Sequence, residues 1–150
     1  MARFELDGFE EFDKAFRAVA TIPWSVTKQA LAQMADTAKD AVKRAGESMG
    51  VRDDGNEEGP HILDSIVFTK TKKIRGGGYA DLTFEGSRKR GNTVTRNAEI
   101  AFVNEYGASR RGIAARPFVA TGMASGEGAI NEAADEIIGG WIENTYGSGS

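Results

Sequence analysis

Apolar positions recur first at helical spacing, then at strand spacing, then at helical spacing again. Phe9, Phe12, Phe16 and Val19 fall three and four residues apart, which puts them on one face of a helix. Asp7 stands where a side chain caps the first turn, and Glu10 three residues on completes a capping box. Pro23 closes that segment and suits the first turn of a second helix, expected over 23–48. There Leu31, Ala38 and Ala45 repeat every seven residues, as do Ala35, Val42 and Met49. The helix carrying this seam runs about 37 Å at 1.5 Å per residue. Gly46 weakens the last turns, and Gly50 is placed to cap them.

The pattern then changes. Residues 52–60 are polar and glycine-bearing and predict a solvated loop. Ile62-Leu63-Asp64-Ser65-Ile66-Val67-Phe68-Thr69 reads as a strand running into charged residues 70–75. Gly76-Gly77-Gly78 supplies a turn, and residues 79–85 alternate apolar and polar as a half-buried strand does, so the pair predicts a hairpin. A basic connection, 86–97, leads to a third expected strand, Ala98-Glu99-Ile100-Ala101-Phe102-Val103. Helical spacing returns with Ile130, Ala134, Ile137 and Trp141 on one stripe, broadened by Ala133, Ile138 and Ile142. That helix is expected from Pro117 or only after Ser125, because Gly122, Gly126 and Gly128 weaken the stretch between. The expectation is one α+β domain over 1–150 with a flexible end at about 146–150. It holds a small, mainly antiparallel sheet of three or four strands, flanked by the long N-terminal-half helix and the C-terminal amphipathic helix.

Composition narrows the chemistry. The chain has 150 residues, no cysteine and one histidine, His61. Disulfides, thiolate catalysis and cysteine-ligated zinc are therefore out, and His61 lacks the partners of a triad or a histidine metal site. Paired carboxylates such as Glu10/Glu11, Asp53/Asp54, Glu57/Glu58 and Asp135/Glu136 sit in polar contexts that would not raise a carboxyl pKa for acid catalysis. Residues 76–78 lack the Gly-Lys-Ser/Thr of a phosphate loop. The expectation is a protein that is not an enzyme, with no catalytic residue, metal or cofactor. No apolar run reaches the roughly 20 residues of a membrane helix, and the acidic start is unlike a signal peptide, so a soluble chain made in a cytoplasm is expected.

Charge is unevenly spread. Residues 1–69 carry 8 Lys/Arg against 13 Asp/Glu, residues 70–96 carry 8 against 2, and residues 97–150 carry 3 against 7. The basic middle comprises Lys70, Lys72, Lys73, Arg75, Arg88, Lys89, Arg90 and Arg96. Its plain reading is a solvated hairpin; the sharper one is a contact for DNA phosphates or an acidic protein surface. No reading helix or aromatic platform accompanies it, so any DNA contact would be non-specific. Unlike charges along one chain also suit head-to-tail self-association.

The densest cluster is the stretch 104–116 with Pro117-Phe118 after it, holding Glu105, Tyr106, Arg110, Arg111, Arg116 and Phe118. A loop of that length inside a domain is usually functional, and arginine with aromatics favours contact over catalysis. It reads as a docking element.

The helical pair at the start, Leu63 with Ser65-Ile66, then Val103-Asn104-Glu105-Tyr106-Gly107, Arg116-Pro117-Phe118 and a last amphipathic helix resemble the small tail-completion, or head–tail joining, proteins of long-tailed bacteriophages. The resemblance covers roughly residues 5–145 and is sharpest in the Glu-Tyr-Gly and Arg-Pro-Phe pair. Where that family often has Thr-Gly before Leu-x-x-Ser-Ile, this chain has the acidic segment 53–60 and a shorter Leu63-Asp64-Ser65-Ile66. It implies a non-catalytic virion protein of the neck and a homomeric ring, sixfold to match the tail. The ring would complete the tail, meet the tail tube protein and the head-connector or stopper proteins, and let DNA pass through its lumen. Arg110, Arg111 and Arg116 would pair with acids of a neighbour, with Tyr106 and Phe118 as apolar anchors. The competing reading is a non-catalytic DNA-binding accessory protein acting through the basic stripe 70–96.

Overall fold

The computed structural model describes residues 2–6, 22–51, 61–75 and 77–147. The expected first helix with Phe9, Phe12, Phe16 and Val19, and the acidic loop 52–60, lie outside the described residues. In chain order the elements are β1 (Ala2–Leu6), α1 (Trp24–Ser48), β2 (Ile66–Phe68), β3 (Lys72–Ile74), β4 (Gly77–Phe84), β5 (Ser87–Arg90), β6 (Thr93–Arg96), α2 (Asn97–Tyr106) and α3 (Phe118–Ile142). Short 3-10 turns occupy Ile62–Asp64 and Ser109–Arg111, and a π turn, Glu143–Gly147, follows α3. The architecture is α+β, with an antiparallel sheet beside two long helices.

The sheet is built on β4, whose alternating burial from Gly77 to Phe84 matches its alternating sequence. One edge of β4 pairs with β1, from Ala2 opposite Leu82 to Leu6 opposite Gly78. β2 pairs with β4 as Ile66 opposite Phe84, and β3 pairs as Lys72 opposite Tyr79. The expected strand 62–69 is thus shorter than its apolar run. Its first residues make the 3-10 turn, in which the His61 Nδ1 accepts from the Leu63 amide at 3.1 Å. Gly77 and Gly78 belong to β4, not to the turn. Gly78 is required there because a Cβ would stand 2.8 Å from Trp24 and 2.9 Å from Leu31 of α1. The connection expected over 86–97 is largely a second hairpin, β5 with β6.

Helix α1 confirms the long expected helix and ends in a Schellman arrangement: Val51 N–H donates to the Gly46 carbonyl at 2.9 Å and Gly50 N–H to that of Glu47 at 3.2 Å. Gly50 takes φ +65°. α3 begins at Phe118, the earlier of the two expected starts, because its glycines do not interrupt it; two of them let it lie against α1. A Cβ on Gly122 would come 2.6 Å from the Val42 Cα, and one on Gly126 would come 2.7 Å from the Ala41 Cβ. The helices run antiparallel, since Gly122 meets Val42 while Ile130, Ala134 and Ile138 pack with Ala30, Leu31, Met34 and Ala38. A second cluster joins Val42, Ile62, Leu63, Ile66, Leu82, Phe84, Ala101 and Phe118, tying α2 and the start of α3 to the sheet.

Candidate functional site

The six apolar-rich residues 98–103 form helix, not the third strand. A short apolar run fits either state, and here the flanks decide. Asn97 donates its amide to the Gly86 carbonyl and its Nδ2 to the Glu85 carbonyl, each at 2.9 Å, anchoring the helix start where β4 ends. Ala101 then faces the core, and the last turn closes with Gly107 N–H donating to the Val103 carbonyl at 2.7 Å. α2 therefore takes in Asn104, Glu105 and Tyr106, and the connecting loop starts at Gly107.

Glu105 is a correction to the docking set. It is 6% exposed, and its carboxylate accepts from the Val119 amide at 2.8 Å and the Ala120 amide at 3.1 Å. These amides belong to the second and third residues of α3, in its first turn, where they lack intrahelical partners. Pro117, at the N-cap position, offers no side-chain bond. An anionic cap supplied from α2 satisfies them and complements the positive end of the helix dipole. Phe118 is a second correction. It is fully buried and meets Phe84 edge to face with centroids 5.8 Å apart, so it is core and not an anchor for a partner.

The Glu-Tyr-Gly and Arg-Pro-Phe segments touch one another. Arg116 N–H donates to the Asn104 carbonyl at 2.6 Å, and Phe118 N–H donates to the Arg116 carbonyl at 2.7 Å across Pro117. With φ −75° and ψ 65°, Pro117 centres an inverse γ-turn. Gly107 has φ 73° and ψ −179°, a region essentially reserved for glycine, and a Cβ there would sit 2.8 Å from the Ala115 nitrogen. Between these closures Ala108 and Ile113 pair through two backbone hydrogen bonds of 2.9 and 3.0 Å.

What remains outward is Tyr106, Arg110 and Arg111. Tyr106 is 59% exposed and packs on Phe102, 54% exposed, with ring centroids 4.7 Å apart. Arg110 and Arg111 are exposed in the Ser109–Arg111 turn at the tip of the small hairpin, and Arg116 is half-buried. Among the described residues none of these three guanidiniums makes an ion pair or side-chain hydrogen bond. Tyr106, Ala108, Arg110, Arg111, Ile113 and Ala115 line an open concavity of about 550 Å³. Sequence reading missed Phe102, which it assigned to a strand; helical spacing of four to Tyr106 is the signal that finds it.

The basic stripe is split. Lys70, Lys72, Lys73 and Arg75 are all exposed on and around the outer strand β3. Arg88 is buried, at 7% exposure, which removes it from any surface contact. Lys89 is exposed on β5; Arg96 is exposed and bonds to Glu99 at 3.2 Å. Charged edge strands also protect sheets against edge-to-edge pairing. Among the described residues no three His, Cys, Asp or Glu side chains gather as a metal site would need, and no helix is long and apolar enough to cross a membrane.

The fold and this surface define an α+β protein with a braced loop that offers aromatic and cationic groups outward. The chain matches no protein-family model, no curated protein and no solved structure.

Proposed function

We propose that this chain is a structural, non-catalytic virion protein of the phage neck, working without a cofactor. It forms a homomeric ring that completes the tail and joins it to the head connector, with DNA passing through the lumen. Its partners are further copies of itself, the tail tube protein and the head-connector or stopper proteins. The observation that carries this reading is the solvent-facing ring pair Phe102 and Tyr106, in tilted contact, beside Arg110 and Arg111 on a loop closed at both ends. Exposed aromatics with arginine are the composition of contact centres. Bracing by Gly107 and Pro117 lowers the ordering cost of binding. Negative-stain imaging and native mass spectrometry of the purified chain, with and without tails, test it. A closed ring and joined tails are expected; a chain that stays monomeric at high concentration and does not join tails overturns the proposal.

A second reading draws on the exposed cations at Lys70, Lys72, Lys73 and Arg75, which form no ion pair among the described residues. In it the chain is a DNA-binding accessory protein. It predicts duplex binding whose affinity falls steeply with salt and is lost when these four are changed to Gln. No binding at low salt removes it.

A further inference from the structure

We infer that the arginine hairpin of one copy docks on the acidic far end of α3 in a second copy. The inference rests on the ring proposed above and names the two surfaces that meet. The first surface is the Phe102–Tyr106 pair with Arg110 and Arg111. Residues 107–116 hold three arginines and no acid, whereas residues 117–150 hold five acids and neither Lys nor Arg. On α3 and the turn after it, Glu132, Asp135, Glu136 and Glu143 are all exposed. At 100° per residue they fall within an arc of about 100°. An aromatic pair closes that end as well: Tyr146, 42% exposed, meets Trp141 edge to face with centroids 6.0 Å apart. The hairpin surface thus offers two exposed rings with positive charge, and the far end of α3 offers acids followed by the exposed Tyr146, while Trp141 lies on the core-facing side of the helix.

The two surfaces do not neutralise each other within one chain. Among the described residues Glu132, Asp135, Glu136 and Glu143 make no ion pair or side-chain hydrogen bond, and neither do Arg110 and Arg111. The hairpin lies at the start of α3, and Glu132 is fourteen residues further on, about 21 Å along the axis at 1.5 Å per residue. Gly139 lies inside the acidic arc with nothing within 4 Å of where its Cβ would be. A helix-interior glycine weakens the helix, and no packing among the described residues accounts for this one. It leaves the backbone open to close approach by a neighbour. Because the matching patches are different parts of one chain, their contact is heterologous and propagates head to tail, which closes into a ring when the rotation permits.

Charge reversal in both directions tests the pairing. Sedimentation velocity of R110E/R111E and of E132R/E136R, with and without purified tails, should show association weakened roughly tenfold or more, the scale of losing close charge pairs. Circular dichroism should stay that of the wild type. All four substitutions in one chain should restore assembly, and an equimolar mixture of the two double variants should form rings of alternating copies. Both double variants assembling like the wild type, or a four-fold variant that stays dissociated, overturns the pairing while the ring stands. A wild-type chain that neither self-associates nor joins tails overturns the ring, and the pairing with it.

Discussion

Glu105 and Tyr106 are consecutive but serve opposite sides of the protein: one carboxylate turns in to cap α3, and the next ring turns out to solvent. Replacing Glu105 with Ala strands a buried amide, which costs about 1–3 kcal/mol. Urea unfolding should report that loss, whereas Arg110→Ala should stay within about 0.5 kcal/mol, as surface changes do. Gly107→Ala should lower stability by more than the roughly 1–2 kcal/mol of a left-handed residue, because its Cβ also meets the backbone near Ala115. The Lys43–Asp64 pair, 2.7 Å apart, gives a pH signature. The hydrogen bond from Lys43 holds the Asp64 carboxyl below its usual range, and the same bond holds Lys43 above its own. Its contribution is therefore present at neutral pH. It fades on the acid side as pH falls through the lowered Asp64 value and on the alkaline side as pH rises through the raised Lys43 value. Denaturation midpoints of wild type and Lys43→Met should differ at about pH 7 and converge at about pH 2. The sequence displays the motif residues plainly but not their directions: Glu105 looks like a free surface acid until its helix and the bare amides of α3 are placed together.

At the scale of elements, α1 was legible from its sevenfold repeat, and Leu31, Ala38 and Val42 are indeed buried. The sheet was legible in β4, where alternation is strict. Residues 98–103 were not, because six apolar-rich residues suit helix and strand alike, and the deciding bonds come from Glu85 and Gly86, distant in sequence. β1 gave too short a signal to separate from its surroundings, since its pairing with β4 is a long-range contact. Glycines in α3 misled for a related reason: low propensity is visible in sequence, and the closeness of a second helix is not. The same helix offers a paired test. Gly122→Ala should destabilise by about 1–3 kcal/mol, the cost of overpacking, because the new Cβ meets the α1 backbone. Gly139→Ala should instead stabilise by about 1 kcal/mol, having open space around it. Thermal melts of the two variants should move in opposite directions.

For the whole molecule, the proposed ring makes stability and assembly separable. At protein concentrations below the association range R110E/R111E should keep the wild-type melting temperature and circular dichroism, since both side chains lie outside the core. At higher concentration it should lose the assembled peak in sedimentation and, with it, the concentration-dependent rise in melting temperature. Raising salt from about 0.1 to 1 M should mimic the reversal in part, because screening shortens the Debye length from roughly 10 to 3 Å. Glu132→Arg should likewise leave unfolding of the dissociated chain unchanged and act on association, as its side chain is exposed and free of partners among the described residues. α3 has a mechanical consequence too. It is clamped by Glu105 beneath the arginine hairpin, lies along α1, and carries its acids at the opposite end. Only residues 114–117 lie between the hairpin and that rod, held by the bonds from Arg116 N–H to the Asn104 carbonyl and from Phe118 N–H to the Arg116 carbonyl. Copies linked through its two ends would stretch as a string of stiff links, all compliance being left to the joints between them.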